Sequence, residues 1–191
     1  MNYWDNRYKT GGTSGCGSIG ELRDWKWGII KKYNPELTSV IDIGCGDMRF
    51  WENQPLPKNY TGIDISETII NRNKQKYPQG DFRVSSSTKV MEITAETVFC
   101  FDMLLHIMEK DEYVKTLENC CIYSEKYIFI YTWLINPLKK WIFFETDKDS
   151  YEKYYDPILL YGTLKSKGFT CIACERNTID PYGAMFIFKK I

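Results

Sequence analysis

The chain has 191 residues, the size of one ordinary domain that buries its own core without a staple. Hydrophobic residues make up 43% and charged ones 26%, with 25 basic residues against 25 acidic. That balance excludes a disordered chain and one built to coat nucleic acid or an anionic membrane by bulk charge.

The opening MNYWDNRYKTGG has no apolar run of the secretory kind, and no stretch approaches the roughly 18 apolar residues of a membrane span. Seven cysteines, an odd number, favour a reducing interior over a disulfide framework. The expectation is a soluble cytoplasmic protein. Residues 1–18 read as an aromatic segment followed by a glycine- and serine-rich loop, GGTSGCGS, too flexible for a helix interior. Leu22, Trp25, Ile29 and Ile30 then recur at helical spacing until Pro35. From there strands alternate with helices: strands at 39–44, 60–64, 81–85, 97–102 and 126–133, with helices after Ser66, over 110–120 and over 158–168. Residues 169–175 and 184–190 close the chain as an antiparallel pair. This order predicts one α/β domain over 1–191 with a doubly wound, mostly parallel sheet. Cys171 and Cys174 form a C-x-x-C, but positions three apart on a strand face opposite ways. Two buried thiols are expected there, with no metal site.

The segment VIDIGCGDMRFW is the most informative. A buried strand ends in Asp42-Ile43-Gly44-Cys45-Gly46-Asp47, and a helix is expected directly after it. Glycines at such a turn let the backbone approach a ligand more closely than a Cβ would permit. Asp64, twenty-two residues beyond Asp42, ends the next strand, where a carboxylate suits the two hydroxyls of a ribose. A dinucleotide fingerprint wants a third glycine where Arg49 stands, and Asp47 would sit badly beside a pyrophosphate. A nicotinamide-dependent oxidoreductase is therefore disfavoured. A ribose without a phosphate fits better, which points to S-adenosylmethionine (SAM).

These residues carry a resemblance. DIGCGDMRF followed by GIDIS resembles the glycine-rich motif and following acid of class I SAM-dependent methyltransferases. YWDNRYKTGGTSGCGSIGELRDWK and FCFDMLLHIMEKDEYVKTLENC look like small standalone members, with an aromatic N-terminal segment and a D-x-x-x-H after strand four. The resemblance implies a seven-stranded Rossmann-like sheet with a C-terminal antiparallel hairpin. It implies that the Gly44–Gly46 backbone meets the methionine part of SAM and that Asp64 holds the ribose. It further implies cofactor contacts from Tyr8, Gly17 and Ser18 in a covering segment (1–33), and from Asp42, Ile65, Ser86, Asp102 and Met103. Two positions depart from the pattern: Met48 replaces a frequent glycine, and Ser86 stands where an acid often meets the adenine amine.

Methyl transfer to a hydroxyl needs positioning and a base. Asp102 and His106, four apart, would share one face if the segment is helical, and imidazole is the side chain suited to take a proton near neutrality. His106 as base, with Asp102 orienting it or meeting the cofactor, is the expectation beside a purely structural histidine. Aromatics at Trp141, Phe143, Phe144, Tyr151, Tyr154 and Tyr155, in an expected acceptor-side insertion over 134–156, could stack on a sugar or aromatic acceptor. Nucleic acid is not expected as substrate, because the place after strand four lacks the motif of base methylation. The reading is a methyltransferase acting on an oxygen of a small polar acceptor, with a sugar or glycan as the candidate. The alternative is a degenerate fold that binds SAM or a partner protein without turnover.

Overall fold

The computed structural model describes residues 3–137 and 152–191. Trp141, Phe143, Phe144, Tyr151 and most of the expected insertion lie outside the described residues. Seven strands form a single sheet in the order β3-β2-β1-β4-β5-β7-β6. These are β1 (Ser39–Ile43), β2 (Asn59–Asp64), β3 (Asp81–Val84), β4 (Ala95–Phe101), β5 (Ser124–Trp133), β6 (Phe169–Arg176) and β7 (Gly183–Lys190). The first five are parallel, and β7 runs antiparallel between β5 and β6. The helices are α1 (Tyr3–Lys9), α2 (Gly20–Tyr33), α3 (Glu67–Lys76), α4 (Lys110–Tyr123) and α5 (Pro157–Ser166). The expected doubly wound sheet and closing pair are present. Among the described residues no helix is long and apolar enough to cross a membrane.

Successive strand residues face opposite ways, and the two faces divide accordingly. Ile41, Val98, Cys100, Ile128 and Phe186 pack under α4 and α5 with Leu117, Leu160 and Leu164. Val40, Phe99, Phe129 and Ile187 face the other way, against Trp27 and Ile30 of α2 and Ile69 and Ile70 of α3.

Three local features depart from the sequence reading. Residues 3–9, read only as an aromatic segment, are helical. Asp5 anchors them, accepting from the Ser66 hydroxyl and the Thr68 amide at the start of α3, 2.9 and 3.0 Å away. Secondly, no α-helix follows the glycine turn. Only one 3-10 turn forms, Arg49–Trp51, because Pro55 and Pro57 leave no room for helical hydrogen bonds before β2. That face is filled instead by α2: Trp27 stacks on Phe50 with centroids 4.9 Å apart, meets Trp51 edge-on, and donates to the Phe50 carbonyl. Thirdly, β6 carries a bulge at Ile172. Cys171 sits opposite Phe188 and Cys174 opposite Phe186, so both thiols fall on one face of the strand. The extra residue overturns the argument from simple alternation. Cys171 is half-buried and Cys174 exposed rather than buried.

Met48 adopts a left-handed backbone (φ 61°) yet is wholly buried. The backbone costs about 1–2 kcal/mol against glycine, whereas emptying a buried methionine site costs about 2–5 kcal/mol. Packing wins. Met48→Gly should lower the unfolding free energy in urea by about 1–3 kcal/mol; a more stable variant would show that strain outweighs packing here.

Candidate functional site

In the sheet order, successive strands are added in opposite directions from β1 and from β4, and a crevice opens beyond the carboxyl ends of strands at such a point. The main cavity lies there. After β1, Gly44 and Gly46 take positive φ (78° and 53°), and the amides of Gly44 and Cys45 both donate to the Ile63 carbonyl. A side chain at Gly44 would overlap Met103, and one at Gly46 would strike Ser14. Both glycines are therefore required by packing as well as by backbone angle. Gly44 lines the cavity. Gly46 does not; it is clamped by Asn73, which donates to its carbonyl at 2.7 Å.

Asp64 ends β2 at the cavity wall, only 9% exposed. One carboxylate oxygen accepts from the Gly46 amide at 3.0 Å and the other from the Ser66 amide at 2.9 Å. Burial nonetheless raises its pKa to about 6, against the lowering effect of those amides. Each oxygen keeps a lone pair for a further donor. Asp42 behaves differently. Its carboxylate lies on the aromatic face, accepting from Trp51 Nε1 at 2.8 Å and Tyr60 Oη at 3.0 Å, and burial raises it too to about 6. The lining residues do not include it. Asp42 fixes two core aromatics, and its spacing alone gave no means to tell the two carboxylates apart.

The N-terminal segment is tied over this turn. The Ser14 amide donates to Asp47, the Asp47 amide donates back to Ser14 Oγ, and Tyr8 Oη lies 3.0 Å from the same hydroxyl. Trp4, Tyr8, Ser14 and Ser18 all line the cavity. Gly17 lies behind that surface, against Asp102.

At the end of β4, Asp102 turns left-handed (φ 54°) and the chain makes a 3-10 turn, Leu104–His106. The helical face expected to align Asp102 with His106 is not formed. The Asp102 carboxylate instead accepts from Lys26 Nζ, while the His106 ring meets Trp4 edge-on with centroids 4.9 Å apart. Asp102, Met103 and His106 all line the cavity. The opposite part of the lining is rich in hydroxyls. Ser86 Oγ lies 2.9 Å from Thr88 Oγ1, and the Thr88 amide also donates to it. Sequence reasoning missed Lys26, Asp5, Ser14 and Asn73. Lys26 had a signal: it lies four residues from both Leu22 and Ile30, within the apolar stripe of α2, where a lysine demands a partner.

An adenosine-bearing cofactor fits this lining. Asp64 offers a carboxylate to ribose hydroxyls, Ile65 and Met103 offer apolar surface to a flat base, and Ser86 and Thr88 offer neutral hydroxyls. Comparisons agree. A methyltransferase domain family matches residues 41–123, while no curated protein matches the chain. The magnesium protoporphyrin IX methyltransferase of Synechocystis PCC 6803, crystallised with S-adenosylhomocysteine (SAH), is 16% identical. The match covers 97% of this chain and 94% of that one with a TM-score of 0.72. The SAM-bound amino pentose methyltransferase CalS10 of Micromonospora echinaspora is 10% identical over 100% and 98% of the two chains, TM-score 0.71. The N-methyltransferase NodS of Bradyrhizobium japonicum WM9, in complex with SAH, gives 12% over 88% and 87%, TM-score 0.69. At such identities the structural matches speak for the fold.

The raised pKa of Asp64 has a sign for binding. Below about 6 the carboxyl is protonated and can no longer accept from two hydroxyls at full strength, so SAH affinity should fall up to about tenfold per pH unit there. Above about pH 7 it should be flat. Asp64→Asn should weaken SAH by at least about tenfold and flatten the profile. Calorimetric titration between pH 5 and 8 checks both; pH-independent affinity in the wild type would remove Asp64 from the ribose.

Proposed function

We propose that this chain, a class I SAM-dependent methyltransferase by its domain and fold, moves the methyl group to an oxygen of a small polar acceptor. The observation that carries the reading is a single cavity wall that gathers Asp64, Gly44, Asp102 and His106 beneath the N-terminal cover. When bound, SAM supplies a methyl group already activated on a sulfonium sulfur. The chain then has three tasks: to hold the two reactants in line, to exclude water, and to take the acceptor's proton.

Asp64 would hold the ribose, with Ile65 and Met103 beside the base and Ser86 at its edge. Asp102 contributes as a cofactor contact rather than as an orienting partner of His106, since Lys26 engages its carboxylate. His106 would serve as the base. Its ring is half-buried, faces the cavity and is held against Trp4, so an acceptor lying on Trp4 would have its hydroxyl within reach. The same indole offers a flat surface for the apolar face of a sugar, and this supports a sugar or glycan as acceptor. Tyr8, Ser14 and Ser18 close the entrance. In the cofactor's presence they keep water from the sulfonium.

His106→Ala should reduce turnover by about 10²–10⁴-fold while SAH affinity and thermal stability change little. Loss of stability and activity together would make the imidazole structural, and near-normal turnover would sink the proposed base. SAH release measured across sugars, phenols and amines tests the acceptor class; turnover confined to amines would overturn the oxygen. Limited proteolysis at residues 9–18 should slow when SAH is added. Equal cutting with and without SAH would mean that the segment does not close on the cofactor.

A further inference from the structure

We infer that Lys26 is a positioning residue for the cofactor site, fixing Asp102 and the Cys16–Ser18 turn against one another from inside the fold. The inference rests on reading the cavity as the cofactor's site. Lys26 lies on α2 and its side chain is wholly buried. Its ammonium donates to the Gly17 carbonyl at 2.9 Å and to the Asp102 carboxylate, and stands 4.1 Å from the centroid of the Tyr131 ring. Carbonyl, carboxylate and aromatic face thus surround all three N–H groups. The ring is itself held rigidly: Tyr131 Oη donates to Asp180 and accepts from Asn177, each at 3.0 Å.

Lys26 has no place in the cavity lining, yet both groups it grips border the cavity. Asp102 and Ser18 line it, and Asp102 keeps 26% of its side chain exposed. Gly17 is in direct contact with that carboxylate, so closely that any side chain there would overlap it. Fold stability does not account for such a pair, because well-packed apolar residues usually stabilise at least as well as a buried ion pair. What the lysine supplies is a fixed direction. It joins the covering segment to the end of β4, elements 76 residues apart in sequence, and leaves one side of the Asp102 carboxylate facing the cavity.

Four variants separate positioning from stability, with Asp102→Asn alone as the reference. Lys26→Met should lower the melting temperature and weaken SAH by about tenfold or more. In Lys26→Met/Asp102→Asn no charge is left unpaired, so thermal stability should return close to the wild type, while SAH affinity should fall below that of Asp102→Asn alone. Gly17→Ala adds a methyl that overlaps the Asp102 carboxylate; it should weaken SAH by about tenfold. SAH should also cease to protect residues 9–18 from protease in both. A double variant that binds SAH as well as Asp102→Asn alone, with wild-type affinity in Gly17→Ala, would overturn the positioning role and make Lys26 merely structural. A wild-type chain that fails to bind SAH would overturn the cofactor reading itself, and this inference with it.

Discussion

A carboxylate taken out of water is costly unless donors surround it, and Asp64 is held by the amides of Gly46 and Ser66. Those two amides belong to the turn after β1 and to the start of α3, so one side chain joins three elements at the place where the sheet opens. The same amides fix the conformations of neighbours. Gly46 must be glycine because Ser14 presses on it, and Ser66 uses its hydroxyl both to cap α3 and to reach Asp5. The covering segment is consequently held at both its ends, by Asp5 to the start of α3 and by Lys26 to Asp102 just past β4. Between these points lie Tyr8 and Ser14, with Trp4 just ahead of Asp5. The cavity is covered by elements that precede the sheet in sequence and lined mostly by the ends of its strands, and its shape depends on hydrogen bonds spanning most of the domain.

Much of this was legible in the sequence because alternation and punctuation are local. Short apolar runs ended by glycine or aspartate marked the strands, and Ser66 marked α3. Asp64 stood at a strand end with the spacing that ribose recognition requires. The failures were equally physical. A helix after the glycine turn was expected from the general plan of such folds, but two prolines and a pair of aromatics made a compact turn that α2 could cover. The alignment of Asp102 with His106 assumed helical geometry, whereas the left-handed residue at 102 turns the carboxylate towards Lys26. Asp42 and Asp64 look alike in sequence and lie on the same face of the sheet; Asp42 is held beneath Trp51 and Tyr60, whereas Asp64, the last residue of β2, reaches the cavity wall. Lys26 was concealed by its type, since lysine reads as surface until its place in the helical stripe is weighed.

Aromatic packing explains how a domain with so short a β1–β2 connection keeps that face closed. Trp27, Phe50, Trp51 and Phe99 form a chain of stacked and edge-on rings with centroids 4.9 to 6.4 Å apart. Each such contact adds about 0.5–1.5 kcal/mol beyond burial. The polar edges of this cluster are satisfied by Asp42 and by the Phe50 carbonyl, so no indole N–H in it lacks a partner.

The bulge in β6 has a consequence for the life of the molecule in a crowded solution. β6 is the outermost strand on its side of the sheet, and an outermost strand offers unpaired amides and carbonyls to any passing chain. An extra residue at Ile172 breaks the regular spacing of those groups and increases the local twist, so a neighbouring strand cannot zip along β6 in register. At the far side, β3 is only four residues long and bears Asp81 and Arg83 as an ion pair. One border is irregular and the other short and charged. Both discourage the sheet from growing from one molecule into the next.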